Sequence, residues 1–326
     1  YFSQIRTCSL NMNNTDFIVN IYPHMVACFA VTFVSSTVGS FGNVWYFFII
    51  LQSGKLRGKV TYELFLIIIA TDWIFNTIYS PMKIYMNFSV IILRVPLQNS
   101  LFCTWIASSY AVIYGSSNLA QLYLTLYRSI ALFLPIYFQR ITLFHHKKIV
   151  FGGLIFSYGI SIFVSYGSIG WLVEYIADDT WGECIDQGIT IPVRILRRMI
   201  FIYVPLFGSL LVYFAIMIKL IHYSYKNKKK RFSNISEGQI SSTISLFARM
   251  LFCSGAVAPF WLNVNTSKSG YSDSVTLWVK FLFQFSYCVT PIFYTIFDDY
   301  LRTENRKVFR KIATAFQLNK INPGKC

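Results

Sequence analysis

The chain has 326 residues, 55% hydrophobic and only 13% charged, with a formal net charge of +16. Soluble domains carry about 25% charged residues, and a fold of this size in water has no way to hide so much apolar surface, so the composition implies a bilayer as solvent. Nucleic acid is set aside by where the positive charge lies: Lys and Arg cluster in short stretches between apolar runs, the densest being Lys228, Lys229, Lys230 and Arg231, as membrane topology requires.

In chain order the apolar segments are 22–51, 61–86, 101–133, 149–173, 198–221, 240–263 and 275–297. Each has the ~20 residues or more that span ~30 Å of hydrocarbon as helix, and none shows the ~10-residue alternation of barrel strands. The expected fold is an all-α membrane protein, a seven-transmembrane helix bundle over 22–299, preceded by an N-terminal stretch 1–21 and followed by a tail 300–326. Pro81, Pro205, Pro259 and Pro291 fall inside segments, where a membrane bundle tolerates them as kinks. After the last segment, Asp298 and Asp299 lead into Leu301, Val308, Phe309, Ile312 and Phe316 among basic residues. That pattern predicts a short amphipathic helix lying on membrane lipid, with acids at its N-terminus.

Most Lys and Arg fall in 52–60, 128–148, 219–249 and 302–325, and few on the other side. The richer side is expected in the cytoplasm. An odd number of spans then leaves the N-terminus outside and makes this a multi-pass protein of the plasma membrane. The sequons at Asn13 and Asn265 land outside and are candidate glycosylation sites, whereas that at Asn234 lands inside. No cleavable signal peptide is visible, and the chain opens on Tyr1 rather than Met, which leaves room for further N-terminal sequence. The seven cysteines match no zinc or redox spacing; Cys253 and Cys288 read as buried packing residues.

A polar group inside lipid is costly, so each is a functional hypothesis. Asp72 lies midway along the second segment and Arg128 closes the third. Around them, in order, come Gly42-Asn43, Ala70-Thr71-Asp72, Cys103, then Tyr127-Arg128-Ser129 with Pro135, Pro205 with Tyr213, Ala258-Pro259-Phe260, and Thr290-Pro291-Ile292-Phe293-Tyr294. In order and mutual spacing this set resembles the rhodopsin-like family of G-protein-coupled receptors. It departs from that pattern at Tyr127 and Ser129, which flank the arginine, at Val257 and Thr290, and in lacking a tryptophan midway along the fourth segment. The erosion resembles nematode-type chemosensory serpentine receptors.

The resemblance implies a receptor that takes an extracellular small-molecule or peptide ligand and activates a heterotrimeric G protein. It implies a disulfide between Cys103 and Cys184, both on the oxidising side, and a switch built on Arg128, Tyr213, Pro291 and Tyr294. It also implies a polar core of Asp72, Asn43, Ser117, Ser286 and Thr290, in which the family can hold a sodium ion. Ligand-pocket candidates are Lys83, Tyr110, Arg197, Lys280 and Gln284. Tyr110 stands where amine receptors carry aspartate, and Gln284 where opsins carry lysine, so neither ligand class is expected. Tyr127 replaces the acid that neutralises the arginine at rest. Arg249, ten residues before Pro259, is expected to face the same inner cleft, and two like charges there predict a weakly latched receptor.

Several bland readings stand beside these. Arg128 can snorkel at the interface. The outer cations Lys83, Arg194, Arg197, Arg198 and Lys280 form either an anion-binding vestibule or a set neutralised by Glu174, Asp178, Asp179, Glu183 and Asp186. A transporter or channel is the alternative function, though neither repeated halves nor several intramembrane acids are present. No catalytic cluster, nucleotide loop or metal motif appears, so no enzymatic activity is expected; His145 and His146 are adjacent loop residues.

Overall fold

The computed structural model describes residues 14–91, 100–166, 174–178, 183–187, 191–226, 243–255 and 273–321, and nearly all of them are helical. Among the described residues four helical stretches are long and apolar enough to cross a membrane. They are Pro23–Gln52 in α1 (Asn14–Gln52), Val60–Met86 in α2 (60–91), His145–Tyr166 in α4 (135–166) and Ile195–His222 in α5 (191–226). Their outer faces are stripped of protein contact: Phe41 is 74% exposed and Phe163 77%. In water such faces are aggregation patches; hydrocarbon solvates them, and the chain is a membrane-embedded helical protein.

α3 (Ser100–Phe133) is longer than a membrane needs, at 34 residues. It carries Ser108, Ser116, Ser117, Asn118, Gln121 and Thr125, all buried, which lower its hydropathy. Those polar groups are tolerated because α3 is central: it packs against α2, α4 and α5 and against the strand pair at 174–178 and 183–187. α1 closes the side, packed on α2 and α7 (Asp273–Cys288). α6 (Thr243–Gly255) lies against the last helices, with Phe252 meeting Phe285 and Phe293. Phe65, Leu124, Tyr213, Leu246, Met250 and Tyr294 form a buried core toward one end.

Among the described residues three helices contain a single wide π turn: Phe75–Tyr79 in α2, Ile155–Gly159 in α4 and Met199–Tyr203 in α5. Two of these have a cause in sequence. A proline ring clashes with the carbonyl four residues back and offers it no N–H. For Pro81 and Pro205 those carbonyls belong to Thr77 and Phe201, inside the wide turns. Asn118 Nδ2 donates to the Phe201 carbonyl at 2.9 Å. Pro291 orphans Tyr287 in the same way, and Asn76 Nδ2 donates to that carbonyl at 3.2 Å. Here the helix breaks at Val289 and restarts as α8 (Thr290–Phe297).

These breaks refine the segments read from sequence. The seventh, 275–297, is two helices rather than one. The fourth, read as 149–173, starts at Pro135, where proline in the first helical turn costs no hydrogen bond. It bends at His145 (φ −129°, ψ 16°). His146 Nε2 then meets Glu63 Oε2 at 2.9 Å, tying α4 to the start of α2. Pro259, Val257, Asn234 and the sequons at Asn13 and Asn265 lie outside the described residues.

Two glycines are dictated by geometry. Gly58 turns the α1–α2 connection at φ +88°, open to glycine at no steric cost. Gly42 lets α1 approach α8: a Cβ there would lie 2.6 Å from the Pro291 ring.

The stretch between α4 and α5 holds a hairpin that the sequence reading did not anticipate. β1 (Glu174–Asp178) pairs antiparallel with β2 (Glu183–Gln187), Ala177 opposite Cys184. Cys184 is disulfide-bonded to Cys103 near the start of α3. At the other end Asp298 caps α9 (Asp299–Ile321), its Oδ1 accepting the Leu301 amide at 3.0 Å. Trp45 Nε1 donates to Asn305 Oδ1 at 2.8 Å and its ring packs on Phe309, so the amphipathic helix docks on α1.

Candidate functional site: a buried ion pair and a buried arginine

Asp72 is wholly buried, deep in α2. Three helices send partners to it. Ser117 of α3 donates to Oδ1 at 2.6 Å. Thr290 of α8 donates to Oδ2 at 2.7 Å. Arg249 of α6 donates from Nη2 to Oδ2 at 2.7 Å and from Nε to Thr290 Oγ1 at 2.9 Å. Thr290 therefore uses its hydroxyl both ways, giving its hydrogen to the acid and receiving one from the guanidinium. Arg249 is itself only 3% exposed. A buried ion pair holds only with good geometry and satisfied lone pairs, since each ion has lost its water; this one has both.

The expected polar core is therefore met in part. Asp72, Ser117 and Thr290 come together. Asn43 is fully buried, yet its amide makes no hydrogen bond among the described residues. Ser286 is buried nearby, its carbonyl accepting the Cys253 thiol at 3.7 Å. Arg249 corrects the sequence reading: it is committed to Asp72, not to the cleft around Arg128. A sodium ion fits this cluster poorly. The carboxylate is already neutralised, and a second cation about 4 Å from the guanidinium would be repelled by about 4 kcal/mol at an effective dielectric of 20. Only the identity of Arg249 was legible, because the rotation of α6 about its axis decides where a long flexible side chain ends.

Toward the charged loops lies Arg128, also buried. Its Nη1 donates to Thr243 Oγ1 of α6 at 3.2 Å. Its guanidinium sits over the Phe65 ring, 5.3 Å from the centroid, a cation–π contact. Phe65 in turn meets Tyr294 edge-on at 5.0 Å. Tyr213 and Tyr294 are fully buried. Tyr127, next to Arg128 in sequence, packs its ring on Phe138 at 5.0 Å. Thr243 and Phe65 carried no sequence signal.

At the opposite end Lys83 Nζ lies 5.8 Å from the Tyr110 ring centroid. Tyr110 also packs on Phe75, Tyr79 and Tyr114, and Tyr287 closes the aromatic group against Phe75 at 4.5 Å. Gln284 is buried in α7, its carbonyl accepting the Cys288 thiol at 3.7 Å. Arg197 is half-buried just before the wide turn of α5. Lys280 lies on α7, its side chain outside the described residues, as is that of Arg194.

No protein-family model matches the chain, and no curated protein is similar enough to count as a relative.

Proposed function

We propose that the chain is a seven-helix receptor of the rhodopsin-like class that couples an extracellular ligand to a heterotrimeric G protein. The four apolar spans are joined in this reading by α3, by the apolar segment 240–263 that contains α6, and by α7 with α8. The N-terminus lies outside the cell and the basic loops face the cytoplasm, by the asymmetry of Lys and Arg. The plasma membrane is the natural site for such a topology.

The observation that carries the reading is how α6 is held. It is the helix whose inner end would have to swing out to admit a G protein, and it bears one hydrogen bond from Arg128 and one ion pair to Asp72. Both contacts join residues that the family motifs single out to a helix that must move. The disulfide from Cys103 to Cys184, tethering a hairpin over the outer end, is compatible with a covered ligand pocket among Tyr110, Tyr114 and Tyr287. A ligand shifts the equilibrium only by its difference in affinity between the two states.

The test is nucleotide exchange. The full chain reconstituted with heterotrimeric G proteins and screened against small molecules and peptides is expected to yield ligand-dependent exchange. Solute flux into proteoliposomes with no exchange under any ligand would make the chain a transporter or channel instead.

A further inference from the structure

We infer that Arg249 is a built-in cation: its guanidinium occupies the acid site at Asp72 permanently, so that the chain neither needs nor binds a sodium ion there. The chemistry of the pocket carries this. A monovalent metal ion beside a lone carboxylate needs several oxygens turned toward it and a net negative site. Here Asp72 Oδ2 already receives two donors, Thr290 Oγ1 and Arg249 Nη2, each at 2.7 Å, and Oδ1 receives Ser117 at 2.6 Å. The Thr290 hydroxyl oxygen, the next ligand a cation would seek, is taken by Arg249 Nε at 2.9 Å. The net charge of the pair is zero, so nothing draws in a second positive charge.

A guanidinium differs from a metal ion in two ways that matter for function. It is planar and directional, so it fixes the relative rotation of α2, α6 and α8 as well as their separation. It is also covalently part of α6 and cannot diffuse away. A receptor using a soluble ion can be tuned by the ionic composition outside the cell. In this chain the same site answers only to movement of α6.

The experiment is the thermal midpoint of the purified full chain in sodium chloride against choline chloride at equal ionic strength. The wild type is expected to melt at the same temperature in both. Arg249→Gln empties the cation's place and leaves Asp72 unpaired; its midpoint is expected to fall in choline and to recover part of the loss in sodium. Asp72→Asn/Arg249→Gln, which removes both charges, is expected to melt above Arg249→Gln in choline and to ignore sodium, because no buried charge is left unpaired. Sodium-selective stabilisation of the wild type overturns the inference. So does Arg249→Gln with the wild-type midpoint in both salts. Should Arg249→Gln fail to fold, the wild-type comparison and the double variant still decide. Neither ligand nor G protein enters the measurement, so failure of the receptor reading and failure of this one are separately visible.

Discussion

Arg128 donates to the Thr243 hydroxyl at 3.2 Å, joining the end of α3 to the start of α6 as described. The donor is a charged guanidinium and the acceptor an uncharged hydroxyl rather than a carboxylate. Thr243→Val keeps the shape and deletes the acceptor. A hydrogen bond to a charged group contributes roughly 1.5 kcal/mol at the low end, close to tenfold in a two-state ratio. Ligand-independent nucleotide exchange is expected to rise by up to that factor at matched surface expression; no rise would show that Thr243 does not restrain α6.

Arg128→Ala is expected to abolish or strongly reduce G-protein activation while leaving surface expression largely intact. Phe65 and Tyr294 still pack on one another without it. Normal exchange in this variant would leave Arg128 a packing residue between Phe65 and Thr243.

The two asparagines that serve proline-orphaned carbonyls make a matched pair. Asn118→Leu and Asn76→Leu each leave a buried carbonyl unsatisfied, at Phe201 and Tyr287. Each is expected to cost about 1–3 kcal/mol, seen as a lower thermal midpoint. Restoring the helix N–H by Pro205→Ala in the Asn118→Leu background should recover part of the loss; no recovery would break the link between Asn118 and Pro205.

Asp298 gives a pH dependence. Burial pushes its carboxyl up to about 6, against the ordinary 3.8, with the Leu301 amide opposing. The folded state thus favours the protonated form. Its contribution to stability is complete below the ordinary value and is lost as pH rises through about 6. Asp298→Asn keeps a cap for α9 and removes the titration, so it is expected to raise the thermal midpoint at pH 7.5 and leave it nearly unchanged at pH 4. An equal gain at both values would point to packing instead of charge.

The glycans test orientation. Asn13 and Asn265 are expected to carry glycan in inserted protein and Asn234 to carry none, scored by mass shift after glycosidase treatment. Glycan on Asn234 would invert the topology.

How much of this was legible in the sequence varies with the kind of signal. Runs of apolar residues announce spans directly, since hydrocarbon demands them; Asp72 was findable as an acid midway along such a run, and Ser117 and Thr290 only through the resemblance. Arg249 was visible as a charge but not as a partner, because a helix's rotation is set by packing that no local pattern encodes. The weakly latched state expected from two like charges loses that basis, since the second charge is spent on Asp72. Thr243 and Phe65 are ordinary residues whose role is conferred by Arg128. The hairpin at 174–187 was hidden because its alternation is short and half polar.

The wide turns have a consequence for counting along the helices. A π turn holds one residue more than an α turn, and one residue is about 100° of angular phase. Everything beyond such a turn therefore points about a quarter-circle away from where an uninterrupted helix would aim it. Lys83 is separated from Asp72 by the turn at Phe75–Tyr79, and Arg197 from Pro205 by that at Met199–Tyr203. Both became pocket candidates through their sequence distance from such anchors or their place near the outer mouth. Tyr110 lies on α3 with no such turn between it and Arg128, so its azimuth survives the count, whereas the break at Val289 stands between Gln284 and Pro291. The five candidates thus divide unevenly: Tyr110 keeps its count, while a wide turn stands between Lys83 and Asp72 and between Arg197 and Pro205, and the break at Val289 stands between Lys280 or Gln284 and Pro291.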